Sequence, residues 1–117
     1  MLIVFYSILQ LPLVLLIPEL FKLKHLTELY LYLSSAELPS DTDRLYSLSQ
    51  LTTVTDLKLE VYNLSKEQFR YWIGNLFPNV EKLVLRIDIE DSERMSFQEE
   101  CLTADVFPKL SRWQFSY

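Results

Sequence analysis

The chain has 117 residues, half of them apolar and 14% aromatic, which excludes a disordered segment and suits one domain with a buried core. Its formal charge of -5 and its scattered Lys and Arg exclude a nucleic-acid surface, which needs clustered cations to meet phosphates. A single cysteine, Cys101, excludes an intrachain disulfide and favours a reducing compartment, cytoplasmic or nuclear.

The first segment, MLIVFYSILQLPLVLLIP, carries no charge. Three readings compete. A secretory signal would need a basic start and a small-residue cleavage site, and a membrane span would be short and interrupted by Pro12. The reading we adopt is a further piece of core, with Phe5, Ile8, Leu11, Leu13 and Leu15 in the apolar slots and the strand at the last three. The other two leave a secreted or membrane-tethered domain as the alternative, in which the sequon at Asn63 would matter.

Beyond it, one arrangement of apolar slots occurs four times, in LKHLTELYLYL, LTTVTDLKLEV, FPNVEKLVLRI and FPKLSRWQFSY. The slots are Leu23, Leu26, Leu29, Leu31, Leu33; Leu51, Val54, Leu57, Leu59, Val61; Phe77, Val80, Leu83, Leu85, Ile87; and Phe107, Leu110, Trp113, Phe115, Tyr117, at spacings of 28, 26 and 30. With half the residues apolar, filling every slot by chance has odds of about one in a million, before about a thousandfold allowance for the choice of register. The last three slots of each copy fall on alternate residues, as in Leu57-Lys58-Leu59-Glu60-Val61, the period of a strand with one buried face.

Helical segments precede each strand. PELFKLK starts with Pro18 at a tolerated first-turn position, and Ser40 with Asp43 opens DRLYSLSQ, whose Leu45, Leu48 and Leu51 form a stripe. SKEQFRYWIGNL pairs Ser65 with Gln68 as a capping box and spaces Phe69, Trp72, Ile73 and Leu76 on one face, so Trp72 is core. The acidic run Asp88 to Glu100 reads as a solvated loop leading to a short helix near 97–104. One glycine in the chain leaves few positions for tight two-residue hairpins, so the strands are joined by crossovers and run parallel.

Alternation leaves Lys58, Glu60, Lys82 and Arg86 on the second strand face, so that face is open to water. The predicted architecture is an α/β solenoid: a curved parallel sheet of about four to five strands with helices on the opposite side. It spans 1–117 as a single domain, with 1–17 an apolar segment. Tyr117 falls on the last slot with no polar cap after it, which predicts a fragment of a longer solenoid or a chain whose missing coils come from a partner.

The runs Leu26-Thr-Glu-Leu29-Tyr-Leu31, Val54-Thr-Asp-Leu57-Lys-Leu59, Val80-Glu-Lys-Leu83-Val-Leu85 and Leu110-Ser-Arg-Trp113-Gln-Phe115 resemble the leucine-rich repeat family. Where that family usually places Asn or Cys after the strand, this chain has Ser34, Tyr62 and Asp88, so the resemblance implies irregular coils without an asparagine ladder. The irregular copies look most similar to those of F-box and leucine-rich repeat proteins, which implies substrate recognition in a ubiquitin-ligase-type complex. No F-box-like segment is visible.

Chemistry is sparse. His25 occupies a variable turn position, and no phosphate loop, nucleophile elbow or zinc-spaced pair occurs. Asp88, Glu90, Asp91 and Glu93 lack the glycine and ligand spacing of a calcium loop. We therefore expect no enzyme activity, no cofactor and no small-molecule substrate, and a protein partner at the exposed strand positions. Tyr30, Tyr32, Lys58, Glu60, Lys82 and Arg86 are the candidate contacts, because tyrosine offers large amphipathic area and aromatic residues are enriched in interfaces. Asp56 beside Lys82, and Glu60 beside Arg86, either neutralise each other along the sheet or meet that partner.

Overall fold

The computed structural model describes residues 2–5, 18–34 and 50–115. The fold is α/β, with one five-stranded sheet in which every neighbouring pair is parallel and sequence order equals spatial order. The strands are β1 (Leu2–Phe5), β2 (Glu28–Ser34), β3 (Asp56–Tyr62), β4 (Lys82–Ile87) and β5 (Arg112–Phe115).

The register is the one that alternation dictates. Leu29, Leu57, Leu83 and Trp113 lie side by side, as do Leu31, Leu59, Leu85 and Phe115. A slip of one residue would turn each of these buried sets to solvent, so the apolar face alone selects the pairing. Leu29, Leu31, Leu33, Leu57, Leu59, Val61, Leu83 and Leu85 are all 2% exposed or less, while Trp113 and Phe115 on the last strand are only partly buried.

The N-terminal register differs from expectation. The strand that pairs with β2 is Leu2–Phe5, with Leu2 aligned to Glu28 and Phe5 to Leu31, not a strand at 11–15, which lies outside the described residues. Leu2 to Glu28 restores a separation close to that of the later copies, whereas the expected spacing of 18 was shorter than any of them. The segment misleads because nearly every residue in it is apolar and fills any template. The helix expected over 43–50 falls outside the described residues except for Gln50, which is not helical, and Tyr117 lies outside them too.

A backbone ladder joins the starts of the strands. Thr27 C=O accepts from both Thr55 N–H and Asp56 N–H at 2.9 and 3.1 Å, Thr55 C=O from Glu81 and Lys82 at 2.8 and 3.0 Å, and Glu81 C=O from Ser111 and Arg112 at 2.9 and 3.0 Å. The Ser111 hydroxyl adds a bond to Glu81 C=O at 3.1 Å. Each carbonyl thus satisfies two backbone donors, and the backbone itself holds successive copies at one height.

After β3 the chain turns through Asn63, whose φ of 56° is the left-handed conformation that asparagine tolerates better than most residues. Ser65 then caps helix α1: its hydroxyl accepts from Gln68 N–H at 3.1 Å, and its own N–H donates to the Gln68 side chain at 3.0 Å. Helix α1 runs as an α-helical turn (Lys66–Gln68), a π-helical segment (Phe69–Ile73) and a second α-helical turn (Gly74–Leu76). Phe69, Trp72, Ile73 and Leu76 are buried as the spacing predicts. Gly74 is not at a turn. It lets α1 approach the segment before β5, where a Cβ would come within 2.6 Å of Val106 Cγ1.

Helix α2 spans Asp91–Cys101, starting six residues earlier than expected and ending before 104. Its first turn carries Asp91 and Glu93, whose charges suit the positive end of a helix, so acids that read as loop instead start it. Phe97 and Cys101, four residues apart, are its buried face. The core is closed by Phe69, which meets Phe97 edge-on at 5.0 Å and Phe107 at 6.0 Å, tying α1, α2 and the approach to β5 together. Burying each such ring contributes about 1.5–3 kcal/mol. Among the described residues no helix is long and apolar enough to cross a membrane.

Candidate functional site

The pleat that buries one set of strand residues presents the other as three columns on the opposite face. They are Glu28, Asp56, Lys82, Arg112; Tyr30, Lys58, Val84, Gln114; and Tyr32, Glu60, Arg86. All six candidate contacts, Tyr30, Tyr32, Lys58, Glu60, Lys82 and Arg86, therefore lie on one face of β2–β4. Their exposures differ. Lys58, Lys82 and Arg86 are exposed and the two tyrosines half-buried, whereas Glu60 is buried, at 7%.

Glu60 is the organising group of this face. Tyr30, its diagonal neighbour on β2, donates a hydroxyl hydrogen bond to its carboxylate, and the Arg86 guanidinium stands 3.9 Å from the same oxygen. A buried carboxylate needs such partners, because burial without them is costly. Lys58 lies over the Tyr30 ring with its ammonium 4.8 Å from the centroid, an exposed cation–π contact of about 0.5–1 kcal/mol. Tyr30 is thus held at its hydroxyl by Glu60 and covered on one ring face by Lys58. Glu60 thus shapes the surface through Tyr30 and Arg86 instead of meeting solvent itself.

Tyr32 stacks on Tyr62, with ring centroids 5.0 Å apart and planes at 33°. Tyr62 was not among the candidate contacts. Its signal is the continuation of the alternation 56, 58, 60 by one more step, at a position that in the resembled family belongs to the turn. A shallow depression of about 280 Å³ lies at the other end of the strands, where Tyr30 and Val84 are rimmed by Glu28, Asp56, Lys58 and Lys82.

The charge pairs along the sheet do not behave alike. Glu60 and Arg86 pair, but Asp56 and Lys82, though aligned in register, make no ion pair among the described residues.

Elsewhere, a wider hollow of about 750 Å³ lies between α1 and the approach to β5, lined by residues such as Arg70, Tyr71, Asn75 and Asp105, none of them a candidate contact. Lys66 and Glu100 join α1 to α2 at 2.6 Å, with the Ser96 hydroxyl between them. The hydrogen bond with Glu100 holds the Lys66 ammonium above its ordinary pKa, and the same bond holds the Glu100 carboxyl below its own. Cys101 is fully buried with its thiol directed at Lys66 C=O, 3.8 Å away, and burial pushes its pKa up to about 11. Protonation at neutral pH makes it a packing residue. His25 is exposed at the turn before β2. Among the described residues no group of three or more His, Cys, Asp or Glu side chains is placed to hold a metal ion.

No protein-family model, curated protein or solved structure matches the chain.

Proposed function

We propose that the chain is a leucine-rich-repeat-like solenoid that binds another protein through the open face of its sheet and performs no chemistry of its own. The observation that carries this reading is the contrast between the two faces of one sheet. Leu31, Leu59 and Leu85 are at most 1% exposed on the core side, while the opposite side holds half-buried tyrosines and exposed Lys58, Lys82 and Arg86. An open parallel sheet is unusual, since parallel sheets are ordinarily covered on both faces, and a solenoid is the arrangement that leaves one free. Tyrosines fixed by stacking and by a hydrogen bond lose little entropy on binding, which suits them as interface anchors. Substrate recognition in a ubiquitin-ligase-type complex rests on the resemblance alone, and the binding reading does not depend on it.

Affinity capture with quantitative mass spectrometry tests the reading. The wild-type chain, a Tyr32→Ala/Lys58→Glu variant of the open face, and a Tyr71→Ala variant of the helical side serve as matched baits. Proteins held by the wild type and by Tyr71→Ala but lost from the open-face variant are the expected result. Equal recovery on all three baits would place binding elsewhere.

A further inference from the structure

The first column of the open face is segregated by charge. Glu28 and Asp56 are directly opposite each other on β2 and β3, and Lys82 and Arg112 are directly opposite each other on β4 and β5. Like charges in direct register destabilise a sheet, and an alternating order would have turned both pairings into attractions. Among the described residues none of the four forms an ion pair, and the one attraction within the column is Asp56 in register with Lys82, where the two halves meet. The basic half is not a product of composition either, because the chain as a whole has 16 acids against 11 Lys and Arg.

We infer that the open face takes an extended protein segment that is itself charge-polarised, with Lys or Arg over β2 and β3 and Asp or Glu over β4 and β5. This rests on the protein-binding reading above and names the chemistry of the partner. Strands are about 4.8 Å apart, so the acidic and basic pairs are centred about 10 Å apart, the length of roughly three residues of extended chain. The seam between them holds the depression in which Tyr30 and Val84 offer apolar surface. A partner sequence of two bases, one apolar residue and two acids has that spacing. Lys58, on the rim of the same depression, is turned over the Tyr30 ring, with its ammonium 4.8 Å from the centroid.

The test uses two synthetic peptides of equal composition, Lys-Lys-Leu-Glu-Glu and Lys-Glu-Leu-Lys-Glu, each flanked by Gly-Ser and followed by amide chemical-shift titration. The polarised peptide binds at least about fivefold more tightly at low salt, with the largest shifts at strands β3 to β5. The advantage collapses in 0.5 M NaCl, where screening is nearly complete over such distances. The Lys82→Glu/Arg112→Glu variant loses the preference and takes Lys-Lys-Leu-Lys-Lys instead. Arg112→Glu alone raises the melting temperature, because it replaces a repulsion by an ion pair, while weakening the polarised peptide. Equal affinities for the two peptides overturn the inference. If that equal binding is abolished by Tyr32→Ala/Lys58→Glu, the protein-binding reading survives the failure. Sedimentation provides the other overturning result, since a dimer dissociated by Lys82→Glu/Arg112→Glu would mean that the face is occupied by a second copy of this chain.

Discussion

The hydroxyl of Tyr30 on β2 donates to the carboxylate of Glu60 on β3, so a half-exposed tyrosine secures a buried acid. Tyr30 therefore has a folding role beside any contact role. Tyr30→Phe keeps the ring under Lys58 and removes the donor, leaving Glu60 with the more distant Arg86. The expected loss is about 1–2 kcal/mol, since hydrogen bonds to charged groups contribute about 1.5–3 kcal/mol and this one is partly solvated. For a chain of this size that is roughly a 4–12 °C fall in melting temperature. Tyr32→Phe, measured alongside, should shift it by less than about 0.5 kcal/mol, because the stacking on Tyr62 survives. A neutral Tyr30→Phe would show that Glu60 is satisfied without it.

Gly74→Ala sets two effects against each other. Alanine is favoured over glycine inside a helix by about 1 kcal/mol, but its methyl would come within 2.6 Å of Val106 Cγ1 and 3.2 Å of Val106 C=O. Overpacking of this kind costs about 1–3 kcal/mol, so urea denaturation should show net destabilisation. The double variant Gly74→Ala/Val106→Ala recovers part of it, because the side-chain half of the clash is removed. Stabilisation by Gly74→Ala alone would mean that α1 and the segment at Val106 are not in close contact.

Cys101 should react with iodoacetamide at pH 8 at least about 100-fold more slowly in the native state than in urea. A thiol with a pKa of about 11 is about 0.1% thiolate there, and its sulfur is covered. The sign of the pH effect follows from the raised value. Between the ordinary thiol pKa of 9.0 and about 11 the unfolded chain has released this proton and the folded chain has not, so stability falls as pH rises through that window. Thermal melts of wild type and Cys101→Ala from pH 8 to 11 should converge as pH rises. Parallel curves would show that the thiol does not contribute.

What could be read from sequence was set by which physical pattern carried it. The pairing of β2 with β3 and of β3 with β4 was legible because a period-two alternation admits only one buried register, and the Ser65 cap because its residues are contiguous. The N-terminal strand was misplaced because uniform hydrophobicity contains no phase information, so 11–15 and 2–5 look alike without a partner to align them. Helix α2 was read too short since just Phe97 and Cys101 mark its core side, and its acids point equally to a loop. The six candidate contacts do share a face, but the burial of Glu60 depends on a diagonal bond from another strand. No local window contains both residues. Gly74 was legible as a rarity and not as a contact, because its reason lies 32 positions away at Val106.

Sequence order and spatial order coincide along the whole sheet, and this decides how the molecule carries load. Tension between the two chain ends acts on an edge strand, and each strand shields the next until it detaches. Stretching should therefore lengthen the chain in discrete steps, one crossover and strand at a time. Each step releases 26 to 30 residues, or roughly 90–100 Å of contour. Such a sheet yields gradually, like a spring with separable turns, where an interlocked one would hold and then fail at once.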